Sequence, residues 1–146
     1  MPVDVLTEIV IERPRADVAR FAEDPAKAPE WYVNIRASEW KTPPPLRIGS
    51  QLAFVAHFLG RRLAYTYEVV DYAPAERLVM RTSEGPFPME TTYTWETVAE
   101  GATRMTLRNR GQPTGFAKLA APFMRAAMRR ANQKDLARLK SLLERK

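Results

Sequence analysis

Residues 115–144 read GFAKLAAPFMRAAMRRANQKDLARLKSLLE, and their spacing decides the fold. Phe116, Leu119, Ala120, Phe123, Ala127, Met128 and Ala131 recur at three- and four-residue intervals, and Leu136, Leu139 and Leu143 extend the stripe. That period predicts one long amphipathic helix over Gly115 to Glu144. A helix of this length draws most of its stability from packing its apolar face, so it needs a partner surface. Pro122 interrupts the stretch, and proline costs about 3 kcal/mol in a helix interior. The expectation is a kink, or a short leading helix with Pro122 in the first turn of the main one, which would leave 116–121 as a flap over one end of a cavity.

The partner surface is written into the residues before it. Val3 to Glu12 alternates as a strand, with Val3, Val5, Ile9 and Ile11 on one side. Pro14 suits the start of a helix whose apolar face is Val18, Phe21 and Ala22, ended by Asp24-Pro25. Pro25 to Glu30 reads as a turn, Trp31-Tyr32 as a buried anchor or a cavity wall, and Val33 to Lys41 as a short strand. The Pro43-Pro44-Pro45 run is a loop, since proline is excluded from sheet interiors. Strands are then expected over Gln51 to Leu59, Arg62 to Tyr72, Arg77 to Ser83, Met89 to Val98 and Thr103 to Arg110. Turns fall at Gly60-Arg61, Pro74 to Glu76, Gly85-Pro86 and Glu100-Gly101. Connections this short join antiparallel strands, because parallel crossovers need a dozen residues or more.

Composition bounds the rest. With 146 residues, 45% hydrophobic and 27% charged, the chain is read as one domain spanning 1–146 with a sizeable core. It has no cysteine, which removes disulfides, thiolate metal sites and cysteine nucleophiles. Neither a signal peptide nor an apolar run of membrane-spanning length is seen, so a cytoplasmic protein is the default expectation. The net charge of +6 is concentrated at one end. Residues 1–112 carry 14 Lys/Arg against 15 Asp/Glu, whereas residues 113–146 carry nine against two. The plain reading is a solvated helix face. The sharper one is peripheral contact with an anionic membrane or another acidic partner. Nucleic acid is not expected, because no aromatic interleaving or groove-reading motif accompanies the charge.

Several short motifs resemble one family over nearly the whole chain. Ile11-Glu12-Arg13-Pro14-Arg15-Ala16-Asp17-Val18 resembles the strand-to-helix opening of the START-like (SRPBCC) superfamily, and Asp24-Pro25 before Trp31 resembles its next segment. Phe58-Leu59-Gly60-Arg61-Arg62, Tyr67-Glu68-Val69 and Pro74-Ala75-Glu76-Arg77-Leu78 continue the likeness. Thr91-Thr92-Tyr93-Thr94-Trp95-Glu96, followed by Gly101-Ala102-Thr103-Arg104, is similar to its closing hairpin. The polyketide cyclase/dehydrase-like branch is the nearest in pattern. The resemblance implies an α+β helix-grip fold of the Bet v 1/START-like kind. In it a curved antiparallel β-sheet, two short helices after strand 1 and a long C-terminal helix close a cavity. It also implies binding of a lipid, sterol-like or polyketide-like molecule, with cyclisation or dehydration in some members. Motifs of this kind mark turns and packing positions, so they speak to fold more than to chemistry.

Strand alternation predicts which side chains face the long helix. Leu63, Tyr65, Tyr67 and Val69 share one side, as do Met89, Thr91, Tyr93 and Trp95. Leu52, Phe54, Ala56 and Phe58 join them, with Leu78, Met80, Met105 and Leu107. From this set Tyr65, Tyr67, Tyr93, Trp95, Phe54, Met80 and Met105 are expected to line a ligand cavity, together with Phe123 and Ala127 of the helix and Trp31. Tyrosine O–H and tryptophan N–H groups in an apolar chamber would orient a ligand, and methionines would let the chamber adapt. Thr7, Thr91 and Asn109 have the same parity.

Catalytic candidates are few. His57, the only histidine, has outward parity. Glu68, Glu90 and Glu96 also point outward, toward cross-strand arginines such as Arg62, Arg81, Arg104 and Arg108. Asp71 has inward parity but sits near a strand end. No metal site and no cofactor are expected, and no catalytic residue is assigned. The leading expectation is a binder of a small hydrophobic molecule between sheet and helix. A cyclase/aromatase or dehydrase using Tyr65, Tyr67 or Tyr93 as acid comes second, and a membrane- or partner-docking protein third. Monomer and homodimer are both open.

Overall fold

The computed structural model describes residues 3–58, 60–85, 88–111 and 121–145. Strand β1 (Val3–Ile11) buries Val3, Val5, Thr7 and Ile11 and turns Asp4, Leu6 and Glu8 outward. Pro14 precedes helix α1 (Arg15–Glu23), which buries Val18, Ala19, Phe21 and Ala22. Asp24 stops that helix and restarts the chain: its carboxylate accepts the Ala26 N–H at 3.0 Å and opens a 3-10 turn, Pro25–Lys27. A single-turn helix, α2 (Ala28–Trp31), follows. The segment read from sequence as a plain turn is thus partly helical, and two short helices do follow strand 1.

The remaining strands are β2 (Ile35–Trp40), β3 (Gln51–Phe58), β4 (Arg61–Ala73), β5 (Arg77–Glu84), β6 (Met89–Ala99) and β7 (Ala102–Gly111). They form one curled antiparallel sheet in the order β1-β7-β6-β5-β4-β3-β2. β2 to β7 make a meander, and β1 closes on β7 with Val5 opposite Asn109 and Ile9 opposite Met105. The first and second strands therefore lie on opposite edges, and α1 and α2 carry the chain between them. Gly60 and Gly101 supply the positive φ (74° and 69°) that the tight turns before β4 and β7 require.

One irregularity changes the inward set. Pairing of β4 with β5 slips between Val69 and Asp71, so Val69 faces Met80 while Asp71 faces Val79 and Tyr72 faces Leu78. An extra residue in one strand reverses the alternation beyond it. Asp71, inward by simple parity, is therefore on the outer face, where Arg77 Nε donates to it at 2.7 Å. Tyr72 takes the inward place, packs on the core and donates its O–H to Glu23 Oε2 at 2.6 Å.

Helix α3 (Ala121–Glu144) has Pro122 in its first turn, where the missing N–H breaks no helical bond. Of the flap expected over 116–121, residues 116–120 lie outside the described residues, and Ala121 is the first residue of α3. α3 runs along β1, the sheet edge that would otherwise offer unpaired carbonyls. Lys140 Nζ donates to Val10 O at 2.8 Å, Arg13 donates to Leu143 O at 2.6 Å, and Glu144 Oε2 accepts the Glu12 N–H at 2.8 Å. No described helix is long and apolar enough to cross a membrane.

The interior divides into two apolar clusters. The larger joins Leu136, Leu139 and Leu143 to Trp31, Leu78, Trp95, Met105 and Leu107. The smaller, toward the start of α3, holds Val3, Val5, Met89, Met124 and Met128.

Candidate functional site

Tyr65 and Tyr67 pack on the smaller cluster, and Tyr67 also touches the larger one. A cavity of about 140 Å³ lies between the sheet and α3 in this region. Its apolar walls are Phe54, Ala56 and Leu63 from β3 and β4, Met80 and Met89 from β5 and β6, and Met128 and Ala131 from α3. Tyr65, Tyr67 and Tyr93 enter from the same sheet face, as strand alternation predicts. The Tyr67 ring meets Phe54 edge-on at 5.8 Å between centroids, so the aromatic wall is continuous.

Five of the ten side chains expected at a cavity line it: Phe54, Tyr65, Tyr67, Met80 and Tyr93. The other five are elsewhere. Trp31, Trp95 and Met105 are buried in the larger cluster, behind the wall rather than on it. Trp31 stacks against Tyr32 with centroids 4.1 Å apart, so Trp31 is the anchor and Tyr32 the wall. Phe123 is 76% exposed, and with Ala127 it borders an outer groove of about 470 Å³ that also holds Arg130 and Lys134.

The helix phase explains that correction. Leu136, Leu139 and Leu143 are almost fully buried and fix the rotation of α3. Stepping back from them by 3.6 residues per turn reaches Asn132, Met128 and Met124, all buried, and passes Ala127 and Phe123 on the flank. The apolar stripe of the first turns and that of the last turns are offset, and the leucines decide.

That rotation brings in two residues that the sequence reading left out of the site. Asn132 and Asp135 are 4% and 2% exposed, and both line the cavity. Asp135 Oδ1 accepts the Val33 N–H at 2.8 Å. Burial pushes its carboxyl up to about 7, although the Val33 N–H and the Arg138 charge both favour the ionised form. Among the described residues no group partners the Asn132 amide nitrogen. Both lie on an otherwise apolar helix stripe, and that is the signal by which sequence alone would find them.

Hydroxyls complete the polar lining. Tyr32 and Tyr93 meet O–H to O–H at 2.5 Å. Two hydroxyls carry two protons; one bridges the pair and the second is available to an acceptor. Thr91 Oγ1 donates to Asn109 Oδ1 at 2.8 Å and lies 3.5 Å from the Tyr67 hydroxyl. Burial raises the Tyr32, Tyr65, Tyr67 and Tyr93 hydroxyls above the ordinary tyrosine range, so all are neutral donors near neutral pH. His57 is on the exposed face of β3. Glu90 and Glu96 of β6 pair with Arg81 of β5 and Arg104 of β7 at 2.7 and 2.9 Å, outside the chamber.

The family profile described as polyketide cyclase / dehydrase and lipid transport matches residues 2–144. No curated protein sequence matches the chain. Among solved structures, the Zhui aromatase/cyclase of a Streptomyces species superposes with a TM-score of 0.83 at 16% identity, covering 99% of this chain and 95% of that one. A START superfamily protein of Mycobacterium smegmatis gives 0.82 at 13% identity, with 98% of each chain covered. A protein of Thermus thermophilus gives 0.82 at 20% identity, with 94% of each chain covered. At such identities the likeness is one of fold.

Proposed function

The chain belongs to the polyketide cyclase/dehydrase and lipid transport family, and from that premise we propose that it binds one small, mainly apolar molecule in the chamber between sheet and C-terminal helix. One observation carries the reading: apolar walls converge with a few polar tips, the arrangement by which pockets hold and orient ligands. Met80, Met89 and Met128 make the walls deformable, so ligands of related shape are accommodated. The test is native mass spectrometry of freshly purified protein, with extraction of any bound compound, beside melting curves with single-ring aromatic probes. A retained apolar compound or a probe-dependent rise in Tm supports binding, since a ligand specific for the folded state stabilises it. Neither result with an intact fold overturns it.

A cyclase or aromatase reading has its own supporting observation. Asp135 supplies a carboxyl that exchanges protons near neutral pH, a base that alternation along the strands does not offer. In such a step the carboxylate would take a proton from a carbon beside a carbonyl. A tyrosine hydroxyl, from Tyr93 or Tyr32, would donate to that carbonyl oxygen as the enol forms. Loss of turnover in Asp135→Asn with ligand affinity retained would support it.

The outer groove supports the membrane reading. Phe123, Ala127, Arg130 and Lys134 share one helical face, which joins an exposed aromatic ring to two cations.

A further inference from the structure

This inference rests on the binding reading and concerns what the polar lining selects. Among the described residues that line the cavity there is no Lys, Arg or His, and Asp135 is the one acidic side chain. An anionic head group placed there would meet the Asp135 carboxylate with no cation in the described lining, Arg138 acting on that carboxylate from outside it, and in an apolar chamber such a contact is unfavourable. A neutral polar group meets the opposite situation. Among the described residues the Asn132 amide nitrogen has no acceptor, and an unpaired buried donor is costly until one arrives. The Tyr32–Tyr93 pair has a second proton to give. Asp135 uses Oδ1 for Val33, which leaves its other oxygen for a ligand donor.

We propose that the chamber selects neutral ligands carrying a carbonyl or hydroxyl acceptor beside a donor, read by Asn132 and Asp135, and rejects carboxylate-bearing molecules of the same shape. The chemical class is an amide or hydroxy-carbonyl compound on a small apolar body. The cavity volume of about 140 Å³ suits a single ring with one such group.

Four single-ring probes test this: toluene, benzylamine and the isosteric pair benzamide and benzoate, titrated against the full chain by calorimetry or NMR at about pH 8, where Asp135 and benzoate are both ionised. The expected order places benzamide above toluene and benzoate at least about tenfold weaker than benzamide. Asn132→Leu should bring benzamide down to the level of toluene without changing toluene itself, which reports an intact fold. Asp135→Asn should recover much of the benzoate binding. Benzoate equal to benzamide in the unmodified protein overturns the selectivity and leaves the binding reading standing, as does benzylamine alone outranking benzamide. Failure of all four, toluene included, overturns both.

Discussion

Asp135 accepts the Val33 N–H at 2.8 Å, so one buried acid ties the C-terminal helix to the segment leading into β2. The bond holds the chamber wall together from two elements far apart in sequence. It also places a titrating group where its charge is poorly solvated, because burial outweighs the help of Val33 and Arg138.

Stability should therefore depend on pH through this residue. In the unfolded chain the carboxyl titrates at its ordinary 3.8, and in the folded protein at about 7. Between those values the folded state keeps a proton that the unfolded chain releases. The contribution is thus fully present at acid pH, falls as pH rises toward about 7 and is flat above it. Asp135→Asn keeps an oxygen for Val33 and removes the titration. By that difference of about three pH units the variant should gain about 4 kcal/mol over the parent at about pH 8 and well under about 1 kcal/mol at about pH 4. Denaturant melts at both pH values decide the matter, and a pH-independent difference would sink it.

The Tyr32–Tyr93 contact yields a coupling prediction. Removing either hydroxyl leaves the other without its partner, so Tyr32→Phe and Tyr93→Phe should each cost about 1 kcal/mol. The double variant should cost less than the two together, because the second deletion removes an already orphaned group. Additive losses in a double-mutant cycle would mean that the two hydroxyls are bonded elsewhere.

How far the sequence foretells the site depends on which rule governs each residue. Tyr65, Tyr67, Tyr93, Phe54 and Met80 reach the cavity because they lie on strands whose period of two holds up to the bulge. Asp71 and Tyr72 lie beyond it, and no residue there announces an inserted position. The phase of α3 was obscured by its early apolar residues, since Phe123 is as hydrophobic as any core position yet flanks the buried stripe. Asn132 and Asp135 are legible as polar interruptions of that stripe, but an acid in so basic a helix reads first as a surface charge. Trp31 illustrates a different limit: its burial is legible, but whether a buried ring is wall or anchor depends on what stands in front of it.

The helix phase can be tested by two truncations. Leu139→Ala removes a fully buried side chain and should cost about 2–5 kcal/mol. Phe123→Ala removes a larger one that is mostly in solvent and should change stability by less than about 0.5 kcal/mol. A large loss at Phe123 would restore it to the core and contradict the rotation of α3 described above.

Phe123 has little reason to be exposed on packing grounds alone, and its neighbours sharpen the question. Arg130 and Lys134 follow it on one helical face, at intervals of seven and four residues. An aromatic ring beside two cations suits the boundary of an anionic bilayer, where the ring enters the interface and the cations meet head groups. Each cation near such a surface contributes about 1 kcal/mol, screened as salt rises. Co-sedimentation with phosphatidylserine-containing vesicles should thus fall at high salt and fall further in Arg130→Ala/Lys134→Ala. Phe123→Ala should weaken binding even at high salt, because its contribution is apolar. Equal binding to neutral and anionic vesicles, or indifference to all three substitutions, would remove the membrane role and leave the basic face as a solvated surface.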